Sequence, residues 1–295
     1  MNILRRLNNP VLFNEWKMRM RSGRSPWMIF SYLLILGGIT LFYIFLETDG
    51  GTYYNPNDTR ELFMMLSILQ LGMIVFVVPG LTSGAISGER ERQTLSILLT
   101  TNVSATRLIL GKWLSSLSFM TFLVFATIPL YAIVFLYGGI SPVQVVKVFG
   151  FYLITMFGIG SIGVLLSTLI KRTGISTVVT YAIVFGYSIG TMVLAEIIRE
   201  FIRYQRRMGN LPSSTNSDWT DIIYSLNPLF AILHIFEEGP TNNVGLRYGT
   251  WFPAIDPFWY YVIFFGMVTV VCLLLAIYAI HPVRPRLFRA ARKEK

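Results

Sequence analysis

The chain reads as an all-α integral membrane protein with six transmembrane helices, and three observations predict that class. Hydrophobic residues make up 54% of its 295 residues against 14% charged. Mean hydropathy is +0.58. The apolar residues also gather into six blocks, each at or above the roughly 20 residues that cross the hydrocarbon of a bilayer. The blocks run over residues 27–46, 62–86, 113–137, 143–170, 175–195 and 258–280. No segment between them has the length of an ordinary soluble domain, so residues 1–295 are read as one transmembrane domain.

Residues 1–26 precede the first span. Asn9 and Pro10 suit an N-cap and a first helical position. The segment after them sets Leu12, Phe13, Trp16 and Met20 beside Lys17, Arg21 and Arg24, the pattern of a helix lying in the membrane interface. It serves either as an elbow or as a plain anchor. The first span begins too deep in the chain and is too long for a cleavable signal, and no small-x-small site follows it, so it is expected to stay in place.

In the second span Pro79-Gly80 predicts a kink. Small residues (Ser83, Gly84, Ala85, Ser87, Gly88) then lead into a charged knot, Glu89-Arg90-Glu91-Arg92, and a short apolar stretch carrying Leu95, Leu98 and Leu99. Residues 87–107 form this loop, and Ser104 is placed to cap the helix that runs through Arg107 into span three. Gly158 to Gly163 in span four and Gly186 to Gly190 in span five have the small-residue spacing that lets transmembrane backbones approach, within the chain or between copies.

Span five should continue as an amphipathic segment at the head of the 196–257 loop. Arg199, Arg203 and Arg206 recur there at helical spacing, as a solvated face or as a site for anionic groups. The last span holds the single cysteine, Cys272, so neither an intrachain disulfide nor a cysteine metal cluster can form. A basic tail, 281–295, ends the chain.

Orientation follows from the distribution of Lys and Arg. Placing both termini in the cytoplasm puts most of the 25 basic residues inside, while the first outer loop carries Glu47, Asp49, Asp58 and Glu61 against Arg60 alone. The net charge of +10 then reflects orientation and attraction to the anionic leaflet rather than nucleic-acid binding, for which no interleaved basic and aromatic patch exists.

Several function classes drop out. As drawn, the spans contain no Asp, Glu, Lys, Arg or His except Lys147 near an end, which disfavours a proton-driven carrier. Gly158-Ile159-Gly160-Ser161-Ile162-Gly163 matches a dinucleotide fingerprint by letters but lies mid-span with no strand before it. His234 and His281 form no metalloprotease motif, no Gly-x-Ser-x-Gly elbow is present, and Gly111-Lys112 lacks the rest of a phosphate loop.

The run Gly88-Glu89-Arg90-Glu91-Arg92-Gln93-Thr94-Leu95-Ser96-Ile97-Leu98-Leu99, between the second and third of six spans, resembles the signature of the ABC-2 type transporter permeases, the membrane subunits of bacterial ATP-binding-cassette exporters. Asn227-Pro228-Leu229 is similar to a recurring element of that family's outer region, where short re-entrant helices lie between spans five and six. Asn102 departs from the pattern, since family members commonly carry proline near that point.

The resemblance implies that the loop is a coupling helix docked on a separate ATPase subunit. Glu89, Arg90, Glu91 and Arg92 would make polar contacts there, and Thr94, Leu95 and Leu98 would seat the helix in its groove. The interfacial helix with Trp16, Lys17 and Arg21 would lean on the same subunit. The chain itself would need no cofactor, with ATP and magnesium held by the partner. A second permease copy, identical or homologous, would complete the pathway in a bacterial cell membrane. Met73, Phe76, Tyr181 and Phe185 are candidate pathway residues, and apolar walls suit a lipid, peptide or drug cargo. A channel or structural module independent of ATP is the alternative.

Overall fold

The computed structural model describes residues 24–48, 56–95, 104–136, 140–209, 223–236 and 257–280. The interfacial helix with Trp16, Lys17 and Arg21, the basic tail and Leu98 lie outside these ranges. Among the described residues every regular element is a helix: α1 (Arg24–Thr48), α2 (Pro56–Thr82), α3 (Ser87–Glu91), α4 (Ala105–Ala126), α5 (Ile128–Leu136), α6 (Pro142–Leu169), α7 (Thr173–Arg207), α8 (Pro228–Ile235) and α9 (Pro257–Ile280). Six spans in them are long and apolar enough to cross a membrane, the predicted number.

Two boundaries differ from the sequence reading. The third span begins at Ala105 rather than Trp113, because the Ser104 hydroxyl caps it by accepting the Arg107 amide at 3.4 Å. Lys112, just ahead of the apolar block drawn from Trp113, therefore sits on α4 and is buried. The same span then breaks into α4 and α5 at Thr127, two residues before Pro129. Proline has no amide to give and its ring crowds the carbonyl of the preceding turn. The amide that Pro129 lacks would have reached the Phe125 carbonyl, and at the break the Thr127 amide closes on the Val124 carbonyl at 3.2 Å, with the Thr127 hydroxyl on the same oxygen at 2.7 Å.

The spans alternate in direction, so the bundle has an α3 end and an α8 end. α6 lies at its centre, packed against α2, α4, α7, α8 and α9. In lipid, apolar side chains gain little from leaving the solvent, so close backbone approach and internal hydrogen bonds hold spans together. Both are visible on α6. A Cβ at Gly163 would fall 2.0 Å from the Thr82 hydroxyl and 2.9 Å from its Cβ, one at Gly158 would strike Phe265 at 2.2 Å, and one at Gly160 would meet Leu117 at 2.7 Å. The Tyr152 hydroxyl donates to the Ser67 carbonyl at 3.0 Å and lies 2.9 Å from the Tyr131 hydroxyl, while Tyr261 and Thr155 hydroxyls meet at 2.8 Å. Helices α1, α2, α5, α6 and α9 thus share one large core that includes Leu36, Phe63, Phe151 and Tyr261.

The small-residue reading holds within the chain for span four only. Gly186 and Gly190 on α7 meet nothing within 4 Å. Gly163→Ala should accordingly cost about 1–3 kcal/mol by overpacking the α2–α6 contact, whereas Gly186→Ala, in open space, should be neutral or gain from alanine's better helix propensity. Thermal unfolding of the detergent-solubilised protein separates the two; equal shifts would contradict the packing described.

Candidate functional site

The charged knot becomes α3, a five-residue helix set across the end of the bundle. The chain reaches it through a tight turn: the Ser83 amide reaches the Pro79 carbonyl at 2.9 Å, and the Ala85 amide the Thr82 carbonyl at 3.1 Å. Below this turn the fully buried Ser167 hydroxyl of α6 accepts the amides of Ile86 and Ser87, both at 2.9 Å. A helix start leaves its first amides without intrahelical partners. Here a side chain from another span supplies one.

Each charge of the knot then has an identifiable place. Glu89 forms an ion pair with Lys112 of α4 at 2.6 Å and accepts a hydrogen bond from the Thr94 hydroxyl. Arg90 donates to the Thr168 carbonyl at 3.1 Å, covering the open C-terminal end of α6. Glu91 accepts the Thr173 amide and hydroxyl, both at 2.8 Å, at the first residue of α7. Arg92 is exposed at the helix C-cap. Gln93 follows in the left-handed region, φ 60°, which turns the chain back towards the bundle. Leu95 is thereby buried with Ile86, Leu108, Ile109 and Ile280 in a second core.

Glu89, Arg90 and Glu91 thus engage this chain's own helices, the Thr94 hydroxyl donates to Glu89, and Leu95 is buried. The knot braces α4, α6 and α7 at once. Its outward surface is the tip around Glu91, Arg92 and Gln93, all exposed.

The sequence profile described as ABC-2 family transporter protein matches residues 10–284, nearly the whole chain, with the knot in its second-to-third-span loop. The chain belongs to this family. No curated protein matches it in a separate comparison. As an ABC-2 family member it is a multi-pass membrane protein and a permease component of an ABC transporter.

The candidate pathway residues of this permease divide. Phe76, Tyr181 and Phe185 come together on the exposed α2–α7 face: the Phe76 and Tyr181 rings are 5.8 Å apart, Tyr181 stacks on Phe185 at 6.0 Å, and the Tyr181 hydroxyl donates to the Phe76 carbonyl at 2.7 Å. Met73 instead packs against the main core. The aromatic strip lies on the outside of a single protomer.

At the opposite end the arginine stripe is largely answered by carboxylates of its own helix. Arg199 pairs with Glu196 at 2.5 Å, and Arg203 with Glu200 at 2.5 Å and with Glu196 at 3.9 Å. The sequence reading counted the arginines without these i−3 partners. The Tyr224 hydroxyl donates to Glu196 at 2.7 Å; burial, and then that carboxylate acceptor, push its pKa up to about 12. Arg199 also lies 5.3 Å from the Tyr224 ring centre. The predicted Asn-Pro-Leu element appears as α8, with Asn227 as its N-cap and Pro228 in its first turn.

Lys112, missed as a site residue, follows from the buried ion pair. Removing one partner of such a pair leaves an uncompensated charge, whereas removing both can be nearly neutral. Lys112 is 10% and Glu89 26% exposed at the side chain, so Glu89→Gln alone should destabilise by roughly 2 kcal/mol, somewhat less than for a fully buried pair. Glu89→Gln with Lys112→Met should recover most of that loss. Unfolding of the purified variants in detergent measures the cycle; simple additivity would show the pair to be uncoupled.

Proposed function

We propose that this chain is the permease subunit of an ATP-driven exporter, and that separate ATPase subunits dock on the α3 end. The observation that carries the proposal is the brace: a short charged helix, fixed to three spans at once, is built to receive force. A solvated turn between two spans needs no such anchoring. Family membership supports the ATP-binding partner, and the concentration of Lys and Arg at the α3 end supports its lying in the cytoplasm of a bacterial cell.

ATP and magnesium then belong to the partner. Nucleotide-driven closure of two ATPase subunits would displace the α3 helices and shift the spans between two arrangements, a change driven by the different nucleotide affinities of the two states. The exposed aromatic strip of Phe76, Tyr181 and Phe185 favours a pathway between two permease copies rather than through one. Open space at Gly186 and Gly190 on the same helix lets a second backbone approach. Walls of this composition suit a hydrophobic or amphipathic cargo such as a lipid, peptide or drug. The interfacial helix with Trp16, Lys17 and Arg21 would lean on the same ATPase, and α8 would be the re-entrant outer helix.

Arg92 is the exposed charge on the proposed docking tip and has no ion pair among the described contacts that fixes the bundle. Arg92→Glu should leave the permease folded and inserted while sharply reducing the ATPase recovered with it from native membranes, because a reversed rim charge replaces attraction with repulsion. Unchanged recovery and nucleotide-stimulated transport would remove Arg92 from the interface.

A further inference from the structure

Helix α7 lacks a cap of its own. Arg172 stands at its N-cap position in an extended conformation, φ −101° and ψ 125°, and makes no capping hydrogen bond. The missing acceptor comes from α3, 82 residues earlier in the chain. One Glu91 oxygen takes the Thr173 amide and the other takes the Thr173 hydroxyl, each at 2.8 Å. An anionic acceptor at the positive end of a long helix is the strongest form of such a contact.

The neighbouring contacts determine where a movement of α3 would go. Behind Glu91, the Ser176 hydroxyl donates to the Ser83 carbonyl at 2.9 Å, and Ser83 and Thr177 hydroxyls meet at 2.8 Å. Gly84 runs so close that a Cβ on it would sit 3.2 Å from the Thr173 methyl. All three contacts join the α2–α3 turn to the first turns of α7. α7 also exposes a long apolar face, including Ile175, Val178, Phe185, Ile189 and Met192, whereas α6 is enclosed by neighbours. Of the spans touching α3, α7 is the one with least packing to hold it still. Tyr181 of the aromatic strip lies eight residues along it, roughly 12 Å at the rise of an α-helix.

We propose that Glu91 and Thr173 form the latch that transmits displacement of α3 into α7, so that both are positioning residues for transport and Glu91 is not a docking contact with the ATPase. The proposal rests on reading α3 as the place where the ATPase acts.

The test uses the intact permease–ATPase complex, comparing Glu91→Gln, Thr173→Val, Thr173→Ser and the Glu91→Gln/Thr173→Val pair. Two quantities are read: ATPase recovered with the permease, and a fluorescent phospholipid moved across the bilayer of reconstituted vesicles per ATP hydrolysed. Glu91→Gln and Thr173→Val should each lower transport per ATP by roughly tenfold, the factor carried by one charge-assisted hydrogen bond, with recovery unchanged. The double variant should be no worse than the worse single, and Thr173→Ser, which keeps the hydroxyl, should transport normally. Loss of recovery with Glu91→Gln alone would make Glu91 a docking contact and overturn the latch. So would additive losses, or normal coupling in Thr173→Val. Wild-type permease that brings no ATPase would overturn the docking assignment itself, before any variant is compared.

Discussion

A buried hydroxyl, that of Ser167, fixes the geometry on which the α3 end depends. Where a chain turns at the edge of a bilayer, amides freed from one helix cannot be left unpaired, and each such group costs several kcal/mol in an apolar medium. Ser167 takes two of them, from Ile86 and Ser87. Its position on α6 therefore sets where α3 begins. From that origin the short helix can place Glu89 against Lys112, Arg90 against the end of α6 and Glu91 against the start of α7. Without the turn fixed in this way, none of the three charges would have a defined partner.

The α8 end uses the same economy with different residues. Asn227 caps α8 through its side-chain oxygen, which accepts the Leu229 amide at 2.8 Å, and its amide donates to the Ser188 carbonyl and Thr191 hydroxyl of α7 at 2.6 and 2.7 Å. The Tyr187 hydroxyl donates to the Leu226 carbonyl at 2.6 Å. At the far end of α8, Arg60 of α2 and Gln144 of α6 donate to the Phe236 and Ile235 carbonyls. α7 is thus held by the α2–α3 turn at its first turns and by the residues at the start of α8 near its middle, at Tyr187, Ser188 and Thr191.

Much of this was legible in the sequence. The bilayer permits few solutions, so apolar length alone located all six spans, and the Ser104 cap was readable because it places an acceptor before a helix start; Asn227-Pro228 was marked only by its similarity to a family element, and the structure adds the cap. The charged knot was visible in the sequence, but its partners within the chain were not readable. Glu91 and Thr173, or Arg90 and Thr168, lie about 80 residues apart in sequence, and nothing local records such a pairing. Lys112 fell just outside the apolar block because a span drawn by hydropathy stops at the first charge, although a paired charge can lie buried on the same helix. For the arginine stripe, Glu196 and Glu200 were visible in the sequence at i−3, and in the structure they pair with Arg199 and Arg203. The break at Thr127 had its signal in Pro129.

The central claim is that an ATP-binding subunit sits against the tip of α3. A photo-crosslinking amino acid placed at Arg92 in the full-length protein, in native membranes, tests it directly when captured partners are probed with a photoreactive ATP analogue. The account predicts an ATP-binding partner captured from position 92 and none from Ile197, which is exposed towards the other end of α7. Capture of that partner from 197, or no ATP-binding protein from 92, would contradict it.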